Sequence, residues 1–335
     1  MQAREVDVYD IDRSHQLVQV IALPPIADPR GAVVDPRSAT LFISYGGQGG
    51  GPGETGSMLA YDLIRGRVVW RRTYASGTDS IAITPNGKTL YMPAGESSRS
   101  GRWYLVNPAN GRVRGWIEAG GGAHNTVMSL EGNSVFLAGT RRAYTAVANT
   151  TTNRIVRWIG PLVSGGRPFT INGSGTLVFS TGRPLLGFQV SDVRTGKVLY
   201  TVRVPGYTYD PVAFHNRTAC HGISMSPDEH ELYLIDTPNG YVHVFDIRGV
   251  PKARPQYVAS IRLEHPPPND GWLQHSRDGR YVYVGRAGDV IDTRTRTIVA
   301  YLPPMRETAD FLEIDWRRGR PVASTSRYGI GYVVP

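Results

Sequence analysis

The sequence predicts an all-β fold, a seven-bladed β-propeller of four-stranded blades built as one domain over residues 1–335. Three observations carry that reading. A hairpin-like motif recurs seven times, with starts roughly 40 to 55 residues apart, the spacing of a propeller blade. Of the 335 residues, 39 are Gly and 24 are Pro, so turn formers are abundant. Apolar residues alternate with period two along most of the chain, and helical periodicity is nearly absent.

The chain opens with VDVYDIDRSHQLVQVI, two alternating runs around a turn. The first full hairpins are RGAVVDPRSATLFIS from Arg30 and DSIAITPNGKTLYMPA from Asp79. HNTVMSLEGNSVFLAG from His124, RPFTINGSGTLVFSTG from Arg167 and HGISMSPDEHELYLID from His221 follow. GWLQHSRDGRYVYVG from Gly271 and DFLEIDWRRGRPVAST from Asp310 complete the set. Each sets apolar alternation on both sides of a Pro/Asp/Asn/Gly turn, the signature of a tight hairpin. A second unit, of the form apolar-Tyr-Asp-apolar, turn, strand, comes after the hairpins, as in LAYDLIRGRVVWRRT, YLVNPANGRVRGWIE, FQVSDVRTGKVLYTV and DVIDTRTRTIVAYL. The last hairpin is followed only by YGIGYVVP. The opening unit is therefore expected to complete the sheet that holds residues 310 to 325, closing the ring and removing two sheet edges.

These repeats resemble those of the YVTN or YncE-like β-propeller family over essentially the whole chain. The segments GAHNTVMSLEGNSVFLAG, RPFTINGSG and CHGISMSPDEHELYLID are similar to a bacterial subgroup described only as YncE-like. The resemblance implies the fold. It implies no single reaction, because propellers host binding proteins, lactonases, lyases and scaffolds alike.

Hydrophobic residues make up 40% and charged residues 19%, less than the charge that a disordered chain or a long coiled coil needs. Lys and Arg number 37 against 28 Asp and Glu, a formal +9 that favours an anionic partner: an acidic polysaccharide, nucleic acid or a membrane surface. No apolar run reaches the ~18 residues of a membrane span. The expectation is a monomeric exported protein, periplasmic or extracellular, with no signal peptide in the sequence given. Cys220 is the only cysteine, which excludes an intramolecular disulfide and a cysteine metal cluster. His221 adjoins it, but strand neighbours point to opposite faces, so Cys220 reads as a small apolar side chain.

In a propeller the first strand of each blade lines the channel, and its start lies at the ligand face. Aligning the hairpins on their turns places Arg30, Asp79, His124, Arg167 and His221 at that mouth, with Gly271 beside Trp272 and with Asp310 or Phe311 in the last two blades. A ring that only packs would be apolar there. A wet channel lined by mutually satisfied polar residues is the competing reading. Loops from second to third strands add Arg99, Arg102, Arg141, Arg142, Arg183, Arg286 and Arg327 to the same face. The long loop Val204–His221 adds Tyr207, Tyr209, His215 and Arg217, with the two tyrosines either at the site or packed as anchors. Guanidinium forks pair bidentately with carboxylate or phosphate, so an anion-binding face is the preferred reading. The glycine-rich YGGQGGGPGETGSM lacks a phosphate-loop pattern and reads as a flexible rim. Deeper in the channel, His275 and Glu313 replace apolar residues and, with Asp315 or Asp79, offer a place for a hard cation such as calcium. No HxH or HExxH spacing occurs, so no metal site and no cofactor is assigned.

Two functions of different class fit. One is a uronate lyase acting by β-elimination. Arg167, with Arg30 or Arg217, would neutralise the carboxylate; His124 or His221 would be the base; Tyr209, Tyr207 or the second His would be the acid. Arg30, Asp79, Arg141, Arg183, Tyr207, His215, Arg217 and Trp272 would bind substrate. The other is a non-catalytic propeller that uses the same face for an acidic glycan, a protein or, without sequence preference, nucleic acid. A lactonase is a third option, for which Asp79, Glu313 and Asp310 are a thin set of carboxylates. There is no GxSxG elbow and no Rossmann fingerprint.

Overall fold

The structure, a computed structural model, describes residues 2–215, 217–308 and 310–325. Arg327 and the YGIGYVVP segment lie outside the described residues. Strands pair in sequence order, each antiparallel to the next. The terminal hairpin joins β1 (Gln2–Asp10) to β2 (Gln16–Ala27). Blade 1 then runs β3 (Pro29–Asp35), β4 (Thr40–Tyr45), β5 (Gly56–Asp62), β6 (Arg67–Tyr74). Blade 2 runs β7 (Ala82–Ile83), β8 (Leu90–Pro93), β9 (Arg102–Val106), β10 (Val113–Glu118). Blade 3 is β11 (Ala123–Met128), β12 (Ser134–Gly139), β13 (Thr145–Asn149), β14 (Arg154–Ile159), and blade 4 is β15 (Phe169–Ile171), β16 (Leu177–Ser180), β17 (Gly187–Asp192), β18 (Val198–Arg203). Blade 5 is β19 (Ile223–Met225), β20 (Glu231–Asp236), β21 (Tyr241–Asp246), β22 (Gln256–Arg262), and blade 6 is β23 (Trp272–His275), β24 (Tyr281–Gly285), β25 (Asp289–Asp292), β26 (Thr297–Tyr301). A last hairpin, β27 (Ile314–Arg317) and β28 (Arg320–Ser324), occupies the seventh position together with the terminal hairpin, each a separate two-stranded sheet among the described residues.

The turns explain the repeat. In five of the first hairpins a Ser, Thr or Asn side chain caps the turn: Thr84, Ser129, Asn172, Ser226 and Ser276 each accept from a backbone N–H five residues on. In the second units the recurrent Asp or Asn does the same two residues on, as Asp62 does for Ile64, Asn149 for Thr151 and Asp246 for Arg248. These are Asx and Ser/Thr turns, so the motif is written in the hydrogen-bond acceptors that a tight turn requires.

Packing then closes a ring. The inner strands meet in succession, β3 with β7, β7 with β11, β11 with β15, β15 with β19 and β19 with β23, and β28 meets β3. Each of the seven interfaces between neighbouring blades carries its own apolar cluster. Phe42, Met58 and Met92 join blades 1 and 2, while Phe188, Met225 and Phe245 join blades 4 and 5. The closing blade is the informative one. Val6, Val8, Ile21 and Leu23 from the amino terminus pack with Leu312 and Ile314 against Leu41 and Leu59 of blade 1. On its other side Tyr9, Ile11 and Phe311 pack against Tyr283 and Val290 of blade 6. Burying side chains of this size contributes about 1.5–3 kcal/mol each. The two ends of the chain thus pack into the closing position between blades 6 and 1, as the repeat count requires. No strand pairing joins the two hairpins into one sheet among the described residues.

Candidate functional site at the channel mouth

The starts of the inner strands bring Arg30, Asp79, His124, Arg167, His221 and Trp272, from six consecutive blades, into two runs of contacts. Arg30 Nη2 lies 2.9 Å from Asp79 Oδ2, and the same oxygen is 2.7 Å from His124 Nδ1. Arg167 Nε donates to His221 Nε2 at 2.9 Å, and the His221 ring meets Trp272 edge-on, centroids 4.4 Å apart. These residues share the mouth because they precede or open the first strand of their blades, where the backbone ring is narrowest.

The sequence reading missed the centre of this arrangement. Glu96, in the loop after β8, accepts from Arg30 Nη2 at 2.9 Å through Oε1 and pairs with Arg167 Nη1 at 2.5 Å through Oε2. One carboxylate therefore bridges arginines from blades 1 and 4. Burial works to raise its pKa, but the His124 ring and the Arg167 and Arg30 guanidiniums outweigh that and hold it below the usual carboxylate value. Asp270, one residue before the predicted Gly271, is the polar contribution of blade 6. Burial again opposes ionisation, and His221, Arg167, Arg217 and Arg286 more than offset it. Asp28 completes the rim at 3.9 Å from Arg30, its pKa raised first by burial and then, against Arg30, by Asp79, Asp310 and Glu96. The mouth is thus an alternation of cations and carboxylates and not a purely basic ring. The hairpin alignment compares strand starts, so it finds Asp79 but not Glu96, which lies in a loop.

The glycine-rich loop is also not a free rim. Gly46, Gly47, Gly49, Gly50 and Gly53 all have positive φ, and the loop packs against blade 2. A Cβ on Gly50 would lie 2.1 Å from the Ala94 carbonyl oxygen, and one on Gly49 would lie 2.9 Å from Glu96 Cγ. Ser97 N–H donates to the Gly49 carbonyl at 2.7 Å. The glycines let two backbones meet at the base of Glu96, which holds that carboxylate in the mouth.

His124 is 4% exposed, and neither ring nitrogen makes a well-aligned hydrogen bond among the described residues. Its Nδ1 contact with Asp79 is an ion-pair distance in a direction poor for a hydrogen bond. An unsatisfied buried polar group costs about 1–3 kcal/mol, so this imidazole is the place where the mouth is incomplete.

Other predicted residues lie elsewhere. Tyr207 packs against Tyr241 and His243, centroids 5.1 and 4.7 Å away, as an anchor of the long loop. Tyr209 packs edge-on to Phe214 at 6.2 Å; burial raises its pKa, as does Cys220, while Arg183 lowers it. His215 is exposed at a positive φ of 52°. None of these three has a contact with the ring among the described residues. Arg217 Nη1 donates to Asn269 Oδ1 at 2.6 Å, beside Asp270. Arg141 is exposed and donates to the Ser97 carbonyl at 3.2 Å, and Arg183 is exposed. Cys220 is fully buried in the core between blades 4 and 5, its thiol pKa pushed up by burial. His275 is buried, within 2.8 Å of Ser224 Oγ through Nδ1, and desolvation pushes its pKa down to about 3. Glu313 lies in the closing blade next to Asp315, away from the mouth. Among the described residues, no group of three or more His, Cys, Asp or Glu is placed to hold a metal ion. No helix there is long and apolar enough to cross a membrane.

Comparison with known proteins bears on the fold. No family model matches the chain, and no curated protein matches it. Among solved structures it is similar to a chain of Kuenenia stuttgartiensis hydrazine synthase, with a TM-score of 0.60 and 16% identity, over 91% of this chain and 88% of that one. At that identity the likeness concerns architecture, and with the repeated four-stranded sheets it marks this chain as a β-propeller.

Proposed function

We propose that the channel mouth binds a carboxylate-bearing carbohydrate, a uronate unit of an acidic glycan. One observation carries the reading: two arginines from opposite flanks of the mouth converge on the two oxygens of a single carboxylate, Glu96, beside a buried imidazole that lacks a well-aligned partner. The Glu96 carboxylate stands where a ligand carboxylate would be neutralised by the same fork geometry. Asp270, part-exposed on the same rim, would accept from a sugar hydroxyl, while Trp272, His221 and Asp79 are buried beneath the arginines and support them. The YVTN and YncE-like character of the repeats agrees with a binding propeller, and an extracellular or periplasmic glycan suits an exported one. The test is titration with galacturonate oligomers. Arg167→Ala should abolish binding, whereas Glu96→Gln should tighten it by weakening the internal competitor for both arginines. Unchanged affinity in both variants would overturn the reading.

A catalytic version is favoured by His124 alone, which sits beside the Asp79 carboxylate and has Nε2 unpartnered, as a base for the proton next to a uronate carboxylate would need. His221 is less suited to that step, since its Nε2 accepts from Arg167. Lyase activity would appear as ultraviolet absorbance of the unsaturated product, lost in His124→Ala.

A further inference from the structure

The formal charge of +9 is unevenly placed around the ring. Residues 63 to 203, from the turn before β6 to the end of β18, hold 18 Lys and Arg against 5 Asp and Glu, a net of +13. The rest of the chain therefore holds 19 against 23, a net of −4. Much of the excess lies on fourth, outermost strands, where Arg67, Arg114, Arg154, Arg157 and Arg203 are all exposed and no carboxylate of the described residues pairs with them. On the far arc, cations are more often held internally, as in Arg277 with Asp315 and Arg296 with Glu231.

Edge protection alone does not account for this. Charged residues on an outer strand discourage edge-to-edge pairing. Yet β6 carries three Arg and β14 two, while β10, β18 and β22 carry one each and β26 none, although all are outermost strands of the same architecture. The bias follows the arc more than the edge.

We propose that the circumference of blades 1 to 4 is a second, extended docking surface for the same class of ligand, a linear polyuronate, which runs from the mouth over the rim and down the outer strands. The choice of glycan over single-stranded nucleic acid rests on the aromatics of this arc. Bases bind such surfaces by stacking on open aromatic faces. Here the Trp158 face is covered by the Arg142 guanidinium at 3.8 Å, and the Trp116 face by Arg102 at 4.7 Å. Trp116 is still 53% exposed, but each of these indoles has a face taken by a guanidinium. The surface therefore offers more guanidinium forks than open rings, which suits a chain of carboxylates recognised by charge. The proposal extends the reading of the mouth to polymer length but depends on different residues.

The experiment compares a short galacturonate oligomer, a long polygalacturonate and an oligothymidylate of matched charge. The variants are Arg114→Glu with Arg154→Glu and Arg157→Glu, and a control of equal charge change, Arg262→Glu with Arg317→Glu and Arg318→Glu. All six residues are exposed, and circular dichroism checks that both variants fold. The long polymer should bind the first variant more weakly by on the order of tenfold or more, with a shallower salt dependence, and the control nearly as tightly as the parent. The short oligomer should bind the first variant as it binds the parent, which separates this surface from the mouth. Equal weakening in the control, a preference for oligothymidylate, or a parent that binds long and short uronates with one affinity would overturn the proposal.

Discussion

Two polar clusters, one at the channel mouth and one where the chain ends meet blade 6, differ in a way that separates a site from a seam. At the mouth, Arg30, Asp79, Glu96, His124, Arg167 and His221 come from five consecutive blades and leave one buried imidazole without a well-aligned partner. At the closing seam, residues from the two ends of the chain satisfy each other. His15 Nε2 lies 3.1 Å from the Tyr283 hydroxyl, Arg280 pairs with Asp12 at 2.7 Å, and Arg277 pairs with Asp315 at 2.7 Å while its N–H donates to Glu313 at 2.6 Å. Both clusters mix charges, but the mouth holds a buried imidazole with no well-aligned hydrogen bond among the described residues. The charged groups of the seam are partly exposed and pair with one another. A polar ring is therefore a candidate site through its unmet hydrogen bonds, not through its charge.

The largest expected effect breaks the seam. Removing residues 1–23 takes away half of the closing blade, including Val6, Val8, Ile21 and Leu23, and uncovers the apolar faces of both neighbouring blades. The truncated chain should lose its cooperative thermal transition, as followed by circular dichroism. A melt like that of the full chain would show that the ring does not depend on this hairpin.

Next comes the mouth, where function should change and stability should not. His124→Ala removes a buried group that makes no well-aligned hydrogen bond, so its melting temperature should stay within a few degrees while uronate affinity falls on the order of tenfold. Calorimetric titration beside a melting curve reads both. A large loss of stability with retained affinity would make the mouth a structural ring like the seam.

A smaller effect concerns pH. Burial, then the neighbouring Asp315 and Asp278 charges, pushes the Glu313 carboxyl from 4.5 up to about 7, against the opposing Arg277 N–H. The folded state therefore holds this proton more tightly than the unfolded chain does. The stability it contributes is complete below pH 4.5 and is lost as pH rises through about 7. Buried His275 works in the opposite direction: its pKa falls from 6.5 to about 3, so stability is lost as pH drops below 6.5. Glu313→Gln should flatten the loss on the alkaline side and leave the loss on the acid side, as seen in denaturant midpoints between pH 4 and 8. An unchanged alkaline slope would assign it to another group. The smallest effect is that of Arg280→Ala. It removes two exposed ion pairs, with Asp12 and Asp278, each worth at most about 1 kcal/mol, and should move the melting temperature little.

The sequence by itself determined the blades. Period-2 alternation and turn acceptors such as Ser129, Asp62 and Ser276 act over a few residues, so each hairpin is legible where it stands, and counting the units required the two ends to share one blade. It also placed Arg30, Asp79, His124, Arg167 and His221 on one ring, with Trp272 next to the ring position of Gly271, because equivalent positions in a repeat share a radius. Only the tertiary structure decided what that ring contains. Glu96 reaches the mouth from a loop outside the repeat register, held by glycines some 45 residues earlier whose positive φ lets two backbones touch. Tyr207 left the site because Tyr241 and His243 offered it a packed surface. Spacing fixes which residues are equivalent around a closed ring, while partners, desolvation and close approach arise between segments far apart in the chain, and those settle which polar groups are satisfied.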